Sequence, residues 1–118
     1  MKLLFIQYEK CGTCRKAKKW LDENKLQYES RSIINDVPTY EELSLWIEQS
    51  GLPLKRFFNT SGLVYREMNL KDKLEGMTKE EQIKLLSSNG KLIKRPILVW
   101  KDQILVGFKE KEWESLLK

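Results

Sequence analysis

Both cysteines of this chain fall in one short stretch, Cys11-Gly12-Thr13-Cys14, and the residues around it leave few folds open. Leu3 to Tyr8 is apolar and aromatic, is bounded by the polar turn Glu9 to Thr13, and predicts a buried strand. From Thr13 to about Glu23, Ala17, Trp20 and Leu21 share one face, while Arg15, Lys16, Lys18, Lys19 and Asp22 surround the rest, the pattern of a helix packed on a sheet. Asn24 and Lys25 end that helix. Leu26 to Ile34 alternates loosely, with Tyr28, Ser30, Ser32 and Ile34 on one side, and predicts a second strand that a helical crossover makes parallel to the first. The cysteine pair thus sits where a strand turns into a helix within a βαβ unit.

The middle of the chain is helical in character. Pro38-Thr39 followed by Glu42 is a capping-box start, Leu43, Trp46 and Ile47 supply the apolar face, and Gly51-Leu52-Pro53 the stop. Thr78 with Glu81 opens another helix, through Ile83, Leu85 and Leu86 to Asn89-Gly90. Between them lie a short Leu54 to Phe58 segment, the turn-rich Asn59-Thr60-Ser61-Gly62, and a Tyr65 to Leu74 stretch that reads as helical. Strands return after Pro96: Ile97-Leu98-Val99-Trp100, the short turn Lys101-Asp102-Gln103, and Ile104-Leu105-Val106 pairing back before Gly107. Lys109 to Leu117 finishes as a helix with Trp113, Leu116 and Leu117 on one face. The order βαβ, helical stretch, ββα fits an α/β chain with a mixed sheet and helices packed on it.

At 118 residues there is room for one hydrophobic core, so a single domain over residues 1–118 is expected. The apolar run Leu3-Leu4-Phe5-Ile6 is too short for a signal peptide or a membrane span, which predicts a cytoplasmic protein with no membrane partner. Thiols there are kept reduced, so a nearby pair points to catalysis, redox sensing or metal binding before a structural staple. The chain has no histidine, which removes Ser-His and Cys-His catalysis and the commonest metal ligand. Its net charge of +5 permits an anionic partner without demanding one. Lys16, Lys18 and Lys19 lie at helical spacing and read as a solvated face, so direct nucleic-acid binding is not expected. Asn59-Thr60-Ser61 matches a glycosylation acceptor, which has no meaning in a chain that is not secreted, and the tryptophans with Phe57-Phe58 read as core.

If the first helix begins just after Cys11, that sulfur occupies the cap position and can accept from the backbone N–H groups of Thr13 and Cys14. The helix dipole, those donors and the flanking Lys10 and Arg15 favour thiolate, so the Cys11 pKa is expected to be lowered. Cys14 lies one turn on at a Cβ separation of about 5–6 Å, near enough for a disulfide after small adjustments. The expected chemistry is therefore attack by Cys11 and resolution by Cys14, with Gly12 leaving the sulfur open. The alternatives are a pair of inert core thiols, or a zinc site, which with these ligands would need two subunits or added carboxylates. No metal is assigned.

A proline directly before a strand, in a chain whose first strand ends at CxxC, suggests a thioredoxin-like arrangement in which that proline is cis and lies against the cysteines. Arg95 would then point into the same site, where it could steady the Cys11 thiolate and bind an oxyanion or carboxylate.

With these pieces assembled, the sequence resembles the arsenate reductase (ArsC) family, which includes the Spx- and MgsR-type redox regulators. Cys11-Gly12-Thr13-Cys14-Arg15, Pro38 with its acidic helix, Tyr65-Arg66-Glu67 with Asn69-Leu70, and Leu92-Ile93-Lys94-Arg95-Pro96-Ile97 carry the resemblance. It implies a thioredoxin-like mixed four-stranded sheet with a helical insertion, approximately residues 38–92, between strands 2 and 3. It also implies catalytic roles for Cys11, Cys14 and Arg95, and substrate contacts from Gly12, Thr13, Arg15, Asn59 and Pro96. Arsenate reductases of this type place three arginines around the oxyanion; Arg95 matches one, while Asn59 and Gly107 stand in place of the others. Each missing guanidinium removes charge-assisted hydrogen bonds of roughly 1.5–3 kcal/mol. The reading is accordingly a monomeric thiol-dependent reductase with no bound cofactor, using a low-molecular-weight thiol, glutaredoxin or thioredoxin as electron donor. The alternative is an Spx-type switch that binds the C-terminal domain of the RNA polymerase α subunit, although Gly51-Leu52-Pro53-Leu54-Lys55-Arg56 is basic where such regulators carry an acidic turn.

Overall fold

A computed structural model describes residues 3–117. Strand β1 (Leu3–Gln7) leads through a tight turn into helix α1 (Gly12–Glu23) and back to strand β2 (Tyr28–Ser32), parallel to β1 with Leu3 opposite Tyr28 and Gln7 opposite Ser32. Strands β3 (Ile97–Trp100) and β4 (Gln103–Val106) form the closing hairpin, and helix α6 (Glu110–Leu117) follows. β3 runs antiparallel to β1, with Ile6 opposite Ile97, giving the mixed sheet order β2-β1-β3-β4. Between β2 and β3 stand helices α2 (Tyr40–Ser50), α3 (Leu63–Glu67), α4 (Leu70–Lys73) and α5 (Lys79–Ser88), joined by short 3-10 turns. Among the described residues no helix is long and apolar enough to cross a membrane.

Strand alternation divides the apolar side chains between two layers. Leu3, Phe5 and Leu98 face Ala17, Trp20, Leu21 and Trp113 of α1 and α6, whereas Ile6, Ile97, Ile104 and Val106 face the inserted helices through Leu43, Trp46, Phe58, Ile83 and Leu86. The paired phenylalanines and three tryptophans are core, as expected; Trp100 is half-buried and carries the Lys101 ammonium 4.5 Å from its ring centre.

Two elements differ from expectation. β2 is shorter than Leu26–Ile34 because it is an edge strand, with β1 its neighbour on one side; its Glu29 and Ser30 meet solvent, and the apolar residues beside it, Leu26 and Ile33, lie beyond the paired segment. The Tyr65–Leu74 helix is broken in two, because Asn69 adopts a left-handed φ of 53° and Leu70 turns into the core. Both capping boxes form: Thr39 Oγ1 accepts from the Glu42 N–H at 3.1 Å and Thr78 Oγ1 from the Glu81 N–H at 3.1 Å, with the reciprocal bonds at 3.0 Å.

Glu42 has a second task. Its carboxylate receives Arg31 Nη1 and Nη2 at 2.7 and 2.8 Å, while Arg31 Nε donates to the Asp36 carbonyl at 3.0 Å, so one guanidinium pins β2 to the start of the insertion. That arginine, working against partial burial and aided by the Thr39 N–H, holds the Glu42 carboxyl down at about 2. A carboxyl with a depressed folded pKa adds stability above its ordinary range, and that stability drains away as pH falls towards 2. Glu42→Gln should therefore cost about 1–2 kcal/mol at neutral pH and flatten the loss of stability on acidification from about pH 5; urea unfolding at successive pH values measures both. Gly90 is packed so closely that a Cβ would collide with the Ile33 carbonyl. Gly90→Ala should lower stability by about 2–3 kcal/mol, read as a lower urea midpoint at unchanged slope.

Candidate redox site

The antiparallel register of β1 and β3 sets the site. With Ile6 opposite Ile97, the residue before Ile97 lies level with the carboxyl end of β1, so Pro96 flanks the turn that carries Cys11. The Arg95–Pro96 peptide is cis, as the thioredoxin-like arrangement implied. The Gly107 N–H donates to the Pro96 carbonyl at 2.8 Å, and Gly107 takes a φ of +78° as it leaves β4. Gly107 thus lies directly beside the proline.

Cys11 is the N-cap of α1, half-buried, with its N–H donating to the Tyr8 carbonyl at 3.0 Å. Its sulfur makes no closed capping hydrogen bond, which corrects the expectation of two amide donors. Of those two amides, the Cys14 N–H is the one that acts on the sulfur; Thr13 and Gly12 are exposed at the first turn. Partial burial pushes the Cys11 thiol up, but the Cys14 N–H, the Cys14 thiol and the Arg95 guanidinium outweigh it, so the net direction is down.

Cys14 is driven the other way. It is buried in the first turn of α1, and burial, reinforced by the neighbouring Cys11 sulfur, pushes its thiol up to about 12 despite the Tyr8 N–H, which donates to Sγ at 3.5 Å. Two thiols of the same chemical type are held apart in ionisation by their depth and by which donors face them.

The cation that steadies Cys11 is Arg95, and the expected contributions of Lys10 and Arg15 give way to it. Arg15 turns back and donates Nε to the Glu9 carbonyl at 2.9 Å, bracing the turn that precedes Cys11. Arg95 lies with its guanidinium carbon 5.0 Å from the centre of the Tyr8 ring. Asn59 joins it through a short ladder: the Asn59 N–H donates to the Leu92 carbonyl at 2.7 Å and the Lys94 N–H to the Phe57 carbonyl at 2.8 Å. Asn59 and Arg95 consequently wall one cleft of about 220 Å³, together with Tyr8, Leu63, Val64 and Lys91. Tyr8 and Lys91 were not singled out from the sequence. Tyr8 immediately precedes the cysteine turn, which was a usable signal; Lys91 had none, because a 3-10 turn at Gly90–Leu92 brings it to the site. Among the described residues no cluster of three or more His, Cys, Asp or Glu side chains could hold a metal ion.

The chain as a whole is similar to known proteins. A family model described as "ArsC family" matches residues 6–116. The uncharacterized protein YusI of Bacillus subtilis is 53% identical over 98% of each chain, and the regulatory protein MgsR of the same organism is 31% identical over 98% of this chain and 90% of its own. A crystal structure of a protein described as ArsC family related, from Bacteroides fragilis, superposes with a TM-score of 0.94 at 60% identity over 98% of both chains. The matched span runs from within β1 into α6 and so includes the cysteine pair, the inserted helices and Arg95–Pro96: the chain belongs to the ArsC family and has its thioredoxin-like fold.

Proposed function

We propose that the chain is a thiol–disulfide reductase in which Cys11 attacks and Cys14 resolves. The observation that carries the reading is the opposed ionisation of the two thiols, Cys11 down and half-exposed, Cys14 up and buried. The Cys11 thiolate attacks one sulfur of a substrate disulfide, forms a mixed disulfide and releases the other half as thiolate. Capture removes the charge on Cys11, and with it one of the influences that raises Cys14, while the Tyr8 N–H and Arg95 continue to favour the Cys14 thiolate. Cys14 then displaces the second half from Cys11 and its proton leaves with that thiol, so two electrons pass from the dithiol to the substrate. Burial confines Cys14 to its neighbour and keeps it from external disulfides. An external thiol, small or protein-borne, resets the pair.

The family's arsenate chemistry is a poorer fit. Asn59 is neutral and Gly107 has no side chain, which leaves Arg95 as the one guanidinium of the three that the resemblance calls for.

A second reading, a redox switch that binds the RNA polymerase α subunit, draws on the likeness to MgsR. The exposed Lys55 and Arg56 on the 3-10 turn Leu54–Phe57 oppose it by their charge. In a pull-down, the purified C-terminal domain of that α subunit should bind neither the reduced nor the oxidised chain; retention of either form would favour the regulator.

In iodoacetamide labelling across pH, Cys11 should react with a midpoint below the free-thiol value of about 8.5 while Cys14 stays unlabelled at neutral pH. Arg95→Gln should raise the Cys11 midpoint and slow its labelling at neutral pH by about three- to tenfold. Cys14→Ala should accumulate a mixed disulfide with the substrate. Equal labelling of both thiols, with an ordinary midpoint, would count against the mechanism.

A further inference from the structure

The cleft walled by Tyr8, Asn59, Leu63, Val64, Lys91 and Arg95 is tied to the thiol site by Arg95, which lines the cleft and also acts on the Cys11 sulfur. Its charge is of one sign. Lys91 and Arg95 supply two cations, no carboxylate lines it, and among the described residues neither cation is in an ion pair. Asn59 presents an amide, packed against Gly62 where a Cβ would collide with its side-chain nitrogen. Leu63 and Val64 make an apolar lip, with Leu63 64% exposed. Lys91 is anchored on both sides of its backbone: its N–H donates to Asn89 Oδ1 at 2.9 Å and its carbonyl accepts from Arg95 Nη1 at 3.4 Å, so one turn places both cations. Lys91 also borders a second cleft across Tyr8, where Lys10 adds a cation but the Glu9 carboxylate offsets part of the charge.

We infer that this cleft binds the carboxylate-bearing arm of an aliphatic, low-molecular-weight disulfide, and that Lys91 sets the preference for the acid. The inference rests on the reductase reading, whose Cys11 would attack the sulfur carried in by that arm. Two cations with an amide and an apolar lip suit one carboxylate on a short methylene chain, whose CH₂ groups cover Leu63 and Val64. A compact oxyanion would leave that lip uncovered. The full reaction converts one disulfide and the Cys11–Cys14 dithiol into two carboxylated thiols and the Cys11–Cys14 disulfide, with one proton from Cys14 passing to a released thiol.

The reduced full-length chain is mixed in single turnover with the disulfide of mercaptopropionate or with its uncharged counterpart, the disulfide of mercaptopropanol. The second-order rate of dithiol oxidation is read by acid quench and mass spectrometry. After division by the same ratio for free dithiothreitol, the acid should be preferred by about fivefold or more, and added salt should erode the preference. Lys91→Gln should lower that ratio about fivefold and Lys91→Arg should restore most of it. An unchanged ratio in Lys91→Gln, or equal slowing with both disulfides, overturns the inference and leaves the reductase reading standing. If the wild-type dithiol reacts with neither disulfide faster than dithiothreitol does, the reductase reading fails and takes the inference with it.

Discussion

The antiparallel pairing of β1 with β3 is the contact on which the site depends. β1 delivers the cysteine turn at its carboxyl end, and β3 begins at the same level, so Arg95, 84 positions beyond Cys11 in the chain, reaches its sulfur. The pairing lies at the centre of the sheet, with Phe5, Ile6, Ile97 and Leu98 fully buried between two helical layers. Slipping that register by one residue would turn every one of these side chains to the opposite layer, so the core itself enforces the geometry of the site.

On this frame two thiols separated by a single helical turn acquire different acidities. Both stand at the start of the same helix and near the same arginine, so the helix end alone cannot distinguish them. Depth does: Cys14 faces inward beside Ala17 on the buried side of α1, and Cys11 stays at the rim where Arg95 reaches it. A more readily ionised sulfur at the rim and a protonated one beneath it is the order that a two-step exchange requires.

The inserted helices give the site its other wall. The short ladder of Phe57 and Asn59 against Leu92 and Lys94 stitches the middle of the insertion to its end immediately before Arg95. Asn59, Leu63 and Lys91 reach the cleft through that stitch and through the Gly90–Leu92 turn, whose close approach to Ile33 tolerates no side chain at Gly90. An amide and an apolar lip therefore stand beside Arg95 in the cleft.

Much of the fold was legible in the sequence because it is written in local terms. The apolar run of Leu3 to Tyr8, the helical spacing of Ala17, Trp20 and Leu21, and the Thr39–Glu42 and Thr78–Glu81 boxes each need only neighbours a few residues away, and each formed. The extent of the edge strand and the break at Asn69 within an otherwise helical stretch were not legible, because solvent exposure of β2 and the inward turn of Leu70 depend on what lies beside them. In the site, Cys11, Cys14, Arg95 and Pro96 were legible from the motif and the residues that surround it, whereas Lys91 and the ring of Tyr8 under Arg95 were not. By itself the sequence determined the elements, the thiol pair and its place at a helix start. Only the tertiary structure decided which cation reaches which sulfur, since that choice is made by distance across the fold, and Coulomb and hydrogen-bond interactions at a half-buried thiol fade within a few ångströms.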